Sequence, residues 1–240
     1  MTEWFEQWFG EEYHALYPHR DSEDARRAVA LVRRVAPWKA GARVLDLACG
    51  AGRHAAELEQ AGAHVVGLDL SPAMLHRARS RTCADLVRGD MRRLPFRPGS
   101  FTVAVNLFTS FGYFRDDGEH GLVVRQVAEA LAPAGHFMLD YLNAEQVRRQ
   151  LRRDTEEIAE LPMAVLVRRR FSEEGRYVVK EIEMRDEGRS FQERVRLFTA
   201  AELTTLLEAN GFRVVARFGD YDGQPFAPDS PRAILLGERA

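Results

Sequence analysis

One stretch near the start of the chain, residues 43–54, combines a buried strand, a glycine turn and the start of a helix. Its sequence is Arg-Val-Leu-Asp-Leu-Ala-Cys-Gly-Ala-Gly-Arg-His. The apolar run at residues 44–47 predicts a buried strand, and Gly50 and Gly52 follow it in a tight turn. A helical pattern then continues to Gly62. This order is typical of the first unit of a ligand-binding α/β fold, in which glycines without a Cβ let the backbone approach a ligand.

The turn permits two interpretations, and Asp46 favours one of them. Residues 50–55 match the dinucleotide fingerprint G-x-G-x-x-A, which is weak evidence for a nicotinamide-dependent oxidoreductase. A dinucleotide presents its pyrophosphate to this turn, and the carboxylate of Asp46 at the end of the strand would repel it. A ligand with a cationic head would be attracted instead.

Residues 44–52, Val-Leu-Asp-Leu-Ala-Cys-Gly-Ala-Gly, closely resemble the first motif of class I S-adenosylmethionine-dependent methyltransferases. The cofactor of that family carries an ammonium group and a sulfonium but no phosphate, in agreement with the position of Asp46. The resemblance implies that S-adenosyl-L-methionine is the cofactor. It assigns cofactor contacts to Asp46, Ala48, Cys49, Gly50 and Gly52.

Two later strand ends extend the resemblance. Asp69 lies 17 residues after Gly52, where this fold places the carboxylate that binds the ribose hydroxyls, and Leu70 is expected against the adenine. In the family, the acid of a G-D-x motif hydrogen-bonds the adenine amino group and the next residue packs near the ring. The resemblance therefore assigns Asp90 and Met91 to the adenine site.

The fourth predicted strand leads into an aromatic loop at the ligand-binding edge. Asn106 ends the strand and is assigned to the cofactor site. The following residues lack the proline pair that nucleobase amino-group methyltransferases often carry, and the run to Phe114 resembles methyltransferases of small metabolites. Tyr113 and Tyr141 are candidates for substrate positioning or base catalysis. His120 is a weaker candidate, because its position early in a predicted helix is more typical of an ordinary surface histidine.

The aromatic and acidic N-terminal segment resembles the lid of many small-molecule methyltransferases. In that lid, a tyrosine and an arginine close over the methionine end of the cofactor. The resemblance assigns these positions to Tyr13 and Arg20, whose guanidinium would pair with the cofactor carboxylate.

We expect an α/β fold with a seven-stranded, mostly parallel, doubly wound sheet whose last strand is antiparallel. Three alternating segments between residues 163 and 198 predict an inserted antiparallel β cover after the fifth strand. The expected domains are an N-terminal helical lid (1–36), a cofactor-binding domain (37–154 and 199–240) and a substrate cover (155–198). The arginine run at 168–170 is expected on a solvated face, with an acidic substrate as the alternative.

Net charge, residue spacing and the lengths of apolar runs further limit the classes of function that we expect. A net charge of −2 gives no overall attraction to nucleic acid or membranes, and neither the two cysteines nor the seven histidines show metal-ligand spacing. No signal-peptide pattern or membrane-length apolar run is present, so a cytoplasmic location is expected. We predict a methyltransferase acting on an N or O atom of a small metabolite, without a metal, as a monomer or homodimer. The alternatives are an RNA methyltransferase, an NAD(P)-dependent oxidoreductase and a cofactor-binding fold without catalysis.

Overall fold

A computed structural model describes residues 3–9, 22–151, 155–160, 164–172, 174–184 and 188–240. Its helices are α1 (Trp4–Trp8), α2 (Ser22–Val35), α3 (Arg53–Gln60), α4 (Pro72–Ala78), α5 (Asp117–Ala130), α6 (Ala144–Gln150) and α7 (Ala200–Glu208). Its strands are β1 (Arg43–Leu47), β2 (His64–Asp69), β3 (Asp85–Arg88), β4 (Phe101–Asn106), β5 (Leu131–Leu142), β6 (Thr155–Glu160), β7 (Ala164–Phe171), β8 (Tyr177–Met184), β9 (Arg189–Arg196), β10 (Phe212–Phe218) and β11 (Arg232–Arg239).

Seven strands form the central sheet in the order β10-β11-β5-β4-β1-β2-β3. Strands β1 to β5 pair in parallel, and β11 is antiparallel to both of its neighbours. The predicted doubly wound sheet with an antiparallel last strand is thereby confirmed. Apolar clusters cover both faces of the sheet, so its central strands are buried on both sides, as their continuous apolar runs predict.

Local sequence explains where several helices begin. The side chains of Ser71, Asp116, Asn143 and Thr199 each accept a backbone N–H bond from the first turn of the helix that follows. Thr199 also forms a reciprocal capping box with Glu202.

The inserted segment forms a second, antiparallel sheet in the order β6-β7-β8-β9. This confirms the cover as an antiparallel insertion after β5, although it contains one strand more than the sequence pattern indicated. Strand β6 carries a single large apolar residue, Ile158, and therefore lacks the alternation that reveals a half-buried strand. The fully buried Trp8 of α1 packs against the apolar residues of the cover, so the first helix is held on this sheet.

Candidate active site

A cavity of about 1130 Å³ opens at the carboxyl ends of the parallel strands. Its walls come from the glycine turn after β1, the ends of β2 and β3, the loop after β4, helices α1 and α6, and the inner face of the cover. Ligands bind at this edge in open α/β sheets, because strand ends and helix N-termini meet there. Ligand pockets usually measure about 300–1000 Å³, so this cavity lies just above the usual range.

The glycine turn supplies one wall of the cavity through its backbone. The Cys49 N–H donates to the Leu68 carbonyl at 3.0 Å, which ties the turn to the end of β2. Gly50 has a φ of +54°, and a Cβ at this position would meet no other atom within 4 Å. Ala48 and Cys49 also line the cavity. These three residues lie where the sequence predicted cofactor contacts.

Gly52 has a different role from Gly50. It begins α3 with a φ of +77°, and a Cβ there would lie 3.1 Å from the Cβ of Ala78 in α4. Gly52 is not part of the cavity wall. The glycine therefore allows two helices to pack closely, and its predicted cofactor contact stays a prediction.

Asp46 lies beneath the glycine turn, 1% exposed, and does not line the cavity. Its carboxylate accepts a hydrogen bond from the Ala55 N–H in the first turn of α3. Within the described ranges, its Oδ2 atom has no hydrogen-bond partner. Burial first, and then the nearby charge of Asp69, raises the pKa of Asp46 to about 7, although Arg53 opposes the shift. A cation placed above the turn would stabilise its ionised form.

Asp69 and Leu70, at the end of β2, both line the cavity. The carboxylate of Asp69 accepts the Gly50 N–H and the Ser71 N–H, each at 2.8 Å. Burial raises the pKa of Asp69, while these backbone bonds act in the opposite direction. The Leu70 N–H is a third backbone donor to this carboxylate, and a carboxylate accepts about four hydrogen bonds, so Asp69 retains capacity for a ligand hydroxyl.

Asp90 and Met91 follow β3 and also line the cavity. Asp90 accepts hydrogen bonds from Arg92 through Nε and Nη2, and the Arg92 Nη1 atom lies 2.9 Å from Glu119. Burial tends to raise the pKa of Asp90, but the hydrogen bonds from Arg92 outweigh it and hold the pKa below its usual value. Asp90 is thus held in its ionised form at neutral pH.

Asn106 does not line the cavity, although it ends β4 beside it. Its fully buried amide donates to the Leu47 carbonyl at 2.9 Å and ties the end of β4 to the end of β1. The assignment of Asn106 to the cofactor site stays a prediction.

The loop after β4 contains two non-glycine residues in the left-handed region, Phe108 (φ +60°) and Thr109 (φ +62°). Both line the cavity. Such a conformation costs on the order of 1–3 kcal/mol per residue and persists only where other contacts enforce it.

Asp140 of β5 supplies those contacts. Its carboxylate, fully buried, accepts the Phe108 N–H at 2.7 Å and the Tyr221 hydroxyl at 2.8 Å, and pairs with Arg232. The Thr109 N–H donates to the Asp140 carbonyl at 3.0 Å, and Arg232 donates to the Thr109 hydroxyl. One buried acid thereby fixes the cavity-facing loop, a role that the sequence did not reveal.

The structure separates the proposed catalytic side chains. Tyr113 lines the cavity, its ring packs on Trp4 and Phe9, and its hydroxyl donates to the Thr109 carbonyl at 2.6 Å. Tyr141 is fully buried outside the cavity wall, and its hydroxyl donates to the Arg196 carbonyl. The predicted positioning or base role of Tyr141 is therefore corrected.

The structure also contradicts the expected surface position of His120. It is fully buried among Phe111, Phe114 and Phe198, and it neither reaches the surface nor lines the cavity. Burial lowers its pKa. The sequence alone suggested an exposed side chain, because it does not show which aromatic residues pack against this position of the helix.

Tyr13 and Arg20 lie outside the described residues, so their predicted lid contacts stay predictions. The cavity wall also contains charged residues that were not among the predicted site residues, although the arginine run at 168–170 was considered for an acidic substrate. Arg53 lies 4.2 Å from the ring centre of Phe108, and the cover contributes Arg169, Lys180 and Glu193. Alternation along β7 could have indicated Arg169, whereas the cross-strand register could not be read from the sequence.

The described ranges contain no group of three or more histidine, cysteine, aspartate or glutamate side chains placed to hold a metal ion. None of their helices combines the length and apolarity needed to cross a membrane.

Comparison with known proteins agrees with this geometry. Residues 44–135 match the family model described as a methyltransferase domain. The chain is 41% identical over 99 residues to demethylmenaquinone methyltransferase of Corynebacterium kroppenstedtii, a match that covers 41% of each chain. It is 39% identical over 99 residues to dTDP-3-amino-3,4,6-trideoxy-alpha-D-glucopyranose N,N-dimethyltransferase of Streptomyces venezuelae, covering 40% of this chain and 41% of that enzyme.

These matches span about two fifths of each curated relative, and a solved structure extends the likeness of fold to the whole chain. The CcbJ methyltransferase from Streptomyces caelestis superposes with a TM-score of 0.78 at 24% identity, over 97% of this chain and 98% of that one. Taken with the glycine turn and the acids at the ends of β1, β2 and β3, these comparisons show that residues 44–135 are similar to a methyltransferase domain and that the chain has the fold of a solved methyltransferase.

Proposed function

We propose that the protein transfers a methyl group from S-adenosylmethionine to an N or O atom of a small metabolite in this cavity. The observation that carries the proposal is the convergence of the open glycine turn and Asp69 on one large cavity at the carboxyl ends of the parallel strands. The amino-sugar N,N-dimethyltransferase similarity supports nitrogen as one acceptor atom.

The residues present fit the cofactor. The unpartnered buried Oδ2 of Asp46 matches an ammonium group placed above the turn, and the open side of Gly50 leaves space for the ligand. Asp69 would accept a hydrogen bond from a ribose hydroxyl, and Asp90 from the adenine amino group. Leu70 and Met91 would pack on the adenine ring.

When bound, the cofactor supplies a methyl group attached to a positively charged sulfur. The neutral thioether that remains after transfer is a good leaving group. The protein therefore has to orient the acceptor and exclude water. Tyr113, with Phe108 and the strained loop, forms the wall that positions the acceptor, and the rings of α1 cover that wall. We assign no general base, because an amine acceptor that binds in its neutral form needs none during attack.

Calorimetric titration of S-adenosylmethionine, S-adenosylhomocysteine and NADH into the purified protein tests the cofactor site. We expect the two adenosyl ligands to bind, and Asp69→Ala to weaken them about 10- to 100-fold through lost hydrogen bonds to a charged group. Asp85→Ala is the matched control, because Asp85 is exposed at the start of β3 and contacts His64.

Transfer of labelled methyl groups to panels of small amines, small alcohols and RNA then tests the reaction. Methylation of a small acceptor supports the proposal, whereas transfer to RNA alone would assign the cavity to a different substrate class. Binding of NADH without binding of either adenosyl ligand would show that the carboxylate of Asp46 does not disfavour a dinucleotide. The cytoplasmic location, the lid and the oligomeric state stay predictions.

A further inference from the structure

The loop after β3 joins the carboxylate of Asp90 to Arg92, two residues further along the chain. The Arg92 Nε atom lies 3.1 Å and 3.0 Å from the two carboxylate oxygens, and its Nη2 atom lies 2.7 Å from Oδ2. The backbone N–H of Arg92 also donates to Oδ1, at 2.8 Å. One residue therefore holds both oxygens of Asp90, and the carboxylate cannot turn without breaking several of these bonds.

Arg92 is itself held on the side away from Asp90. Its Nη1 atom donates to the Glu119 Oε1 atom at 2.9 Å, in the first turn of α5. Its guanidinium carbon lies 4.9 Å from the ring centre of Phe114 and 5.9 Å from that of Phe5. Its side chain is 18% exposed and does not line the cavity. A planar guanidinium engaged through all three nitrogens has little freedom to move, so its position determines that of the carboxylate.

The carboxylate of Asp90 can still accept one hydrogen bond from a ligand. Asp90 lines the cavity, and 31% of its side chain is exposed. Among the described residues, its donors are the three N–H groups of Arg92, whereas a carboxylate accepts about four hydrogen bonds. An ionised carboxylate has no donor of its own. Asp90 therefore presents to the cavity an acceptor whose direction is fixed.

A fixed acceptor distinguishes between purines that differ at one ring position. Adenine carries an amino group there and donates a hydrogen bond, whereas hypoxanthine carries a carbonyl oxygen, which leaves two acceptors facing each other. The neighbouring ring nitrogen of hypoxanthine carries a proton, but a carboxylate has to shift sideways to accept it. A carboxylate that is free to turn can make that shift, whereas one held by a bidentate guanidinium cannot.

We propose that Arg92 is a positioning residue that fixes Asp90 for an amino-bearing nucleobase, so that the cavity discriminates adenine from hypoxanthine. Glu119 completes the arrangement, because it binds the third nitrogen of the guanidinium. The inference rests on the proposed function, which places the adenine of the cofactor beside Asp90. It adds a determinant of cofactor specificity that does not touch the ligand.

Calorimetric titration of S-adenosylhomocysteine and S-inosylhomocysteine, which differ only at this edge of the base, tests the assignment. The measured quantity is the ratio of the two dissociation constants within one variant, because this ratio cancels any loss of folded protein. We expect the unmodified protein to prefer the adenosyl ligand about tenfold or more, and Arg92→Met to lower that preference about fivefold or more. Arg92→Lys keeps the charge but has no planar fork, so it should also lose most of the preference.

Arg93→Met is the matched control for loss of a positive charge. Arg93 is exposed, its backbone N–H donates to the Asp90 carbonyl, and its charge acts on the carboxylate at longer range. This variant should keep the preference of the unmodified protein. Asp90→Asn should abolish the preference, because its amide can donate to the carbonyl of hypoxanthine.

An unchanged preference in Arg92→Met would overturn the proposal, as would equal binding of the two ligands to the unmodified protein. Failure of both homocysteine ligands to bind would contradict the proposed function instead. Adenosine and inosine would then measure the same preference in the same variants. Their failure to bind the unmodified protein would overturn this inference as well.

Discussion

At the glycine-turn end, the cavity is lined by the residues of the turn and by acids at strand ends, whereas at the cover end it is lined by side chains in register across three strands. The first arrangement follows from consecutive residues, such as the turn containing Gly50 and the acid at Asp69. The second joins Arg169, Lys180 and Glu193, which pair only after the inserted sheet has formed. The comparison indicates that one end of the cavity is built from local turns and strand ends, whereas the other depends on strand pairing in the inserted sheet.

The largest expected effect lies at Asp140, which fixes the loop between the two ends. Asp140→Ala leaves the largely buried Arg232 without its carboxylate, so we expect a loss of about 3–5 kcal/mol in the free energy of unfolding, measured with urea. Tyr221→Phe, which removes one hydrogen bond to the same acid, should cost about 1 kcal/mol. A loss below 1 kcal/mol for Asp140→Ala would mean that the loop keeps its strained conformation unaided.

A pair of glycine substitutions distinguishes ligand contact from helix packing within the turn. Both Gly50→Ala and Gly52→Ala place a side chain in the left-handed region, at a cost of about 1–2 kcal/mol. Gly52→Ala also forces a contact with Ala78 and should lose about 1–3 kcal/mol more in unfolding measurements. Gly50→Ala should instead reduce S-adenosylmethionine affinity, measured by calorimetry. The reverse pattern would contradict the roles assigned to the two glycines.

A smaller, pH-dependent effect is expected from Asp46. Because its pKa is raised to about 7 when folded, the folded protein holds a proton that the unfolded chain releases above about pH 4. The contribution of Asp46 to stability therefore falls as the pH rises from about 4 to 7. Asp46→Asn should raise the melting temperature of the ligand-free protein by about 3 °C or more at pH 8, and by less at pH 5.

The ligand-bound protein supplies the control for that experiment. Asp46→Asn should weaken S-adenosylmethionine binding at pH 8, although it stabilises the ligand-free fold, because the favourable charge near the cationic head is lost. A variant that is stabilised equally at both pH values, with unchanged affinity, would contradict an ionisable role for Asp46.

Much of the fold could be predicted because the signals are local. The glycine turn, Asp69 and Asp90 follow short strands in a fixed order, and their places in the cavity wall agree with the sequence interpretation. Strand β6 and helix α6 were not anticipated, because short polar segments carry little periodicity.

The roles of single side chains were harder to predict, because they depend on partners far along the chain. Asp140 and Tyr141 are neighbours in β5, yet Asp140 points to Arg232 and the cavity loop, whereas Tyr141 reaches the backbone of Arg196. No local sequence pattern shows that Tyr113 faces the cavity and Tyr141 does not, because this depends on which surface each strand and loop packs against. The same reasoning explains why Asn106 bridges two strand ends rather than facing the cavity.

The most direct test of this account is one calorimetric comparison, in which S-adenosylhomocysteine is titrated into the Asp69→Ala and Lys180→Met variants beside the unmodified protein. Separate cofactor and acceptor ends predict that Asp69→Ala loses about 10- to 100-fold in affinity while Lys180→Met binds as the unmodified protein does. Equal losses in the two variants, or full affinity in Asp69→Ala, would contradict the division of the cavity.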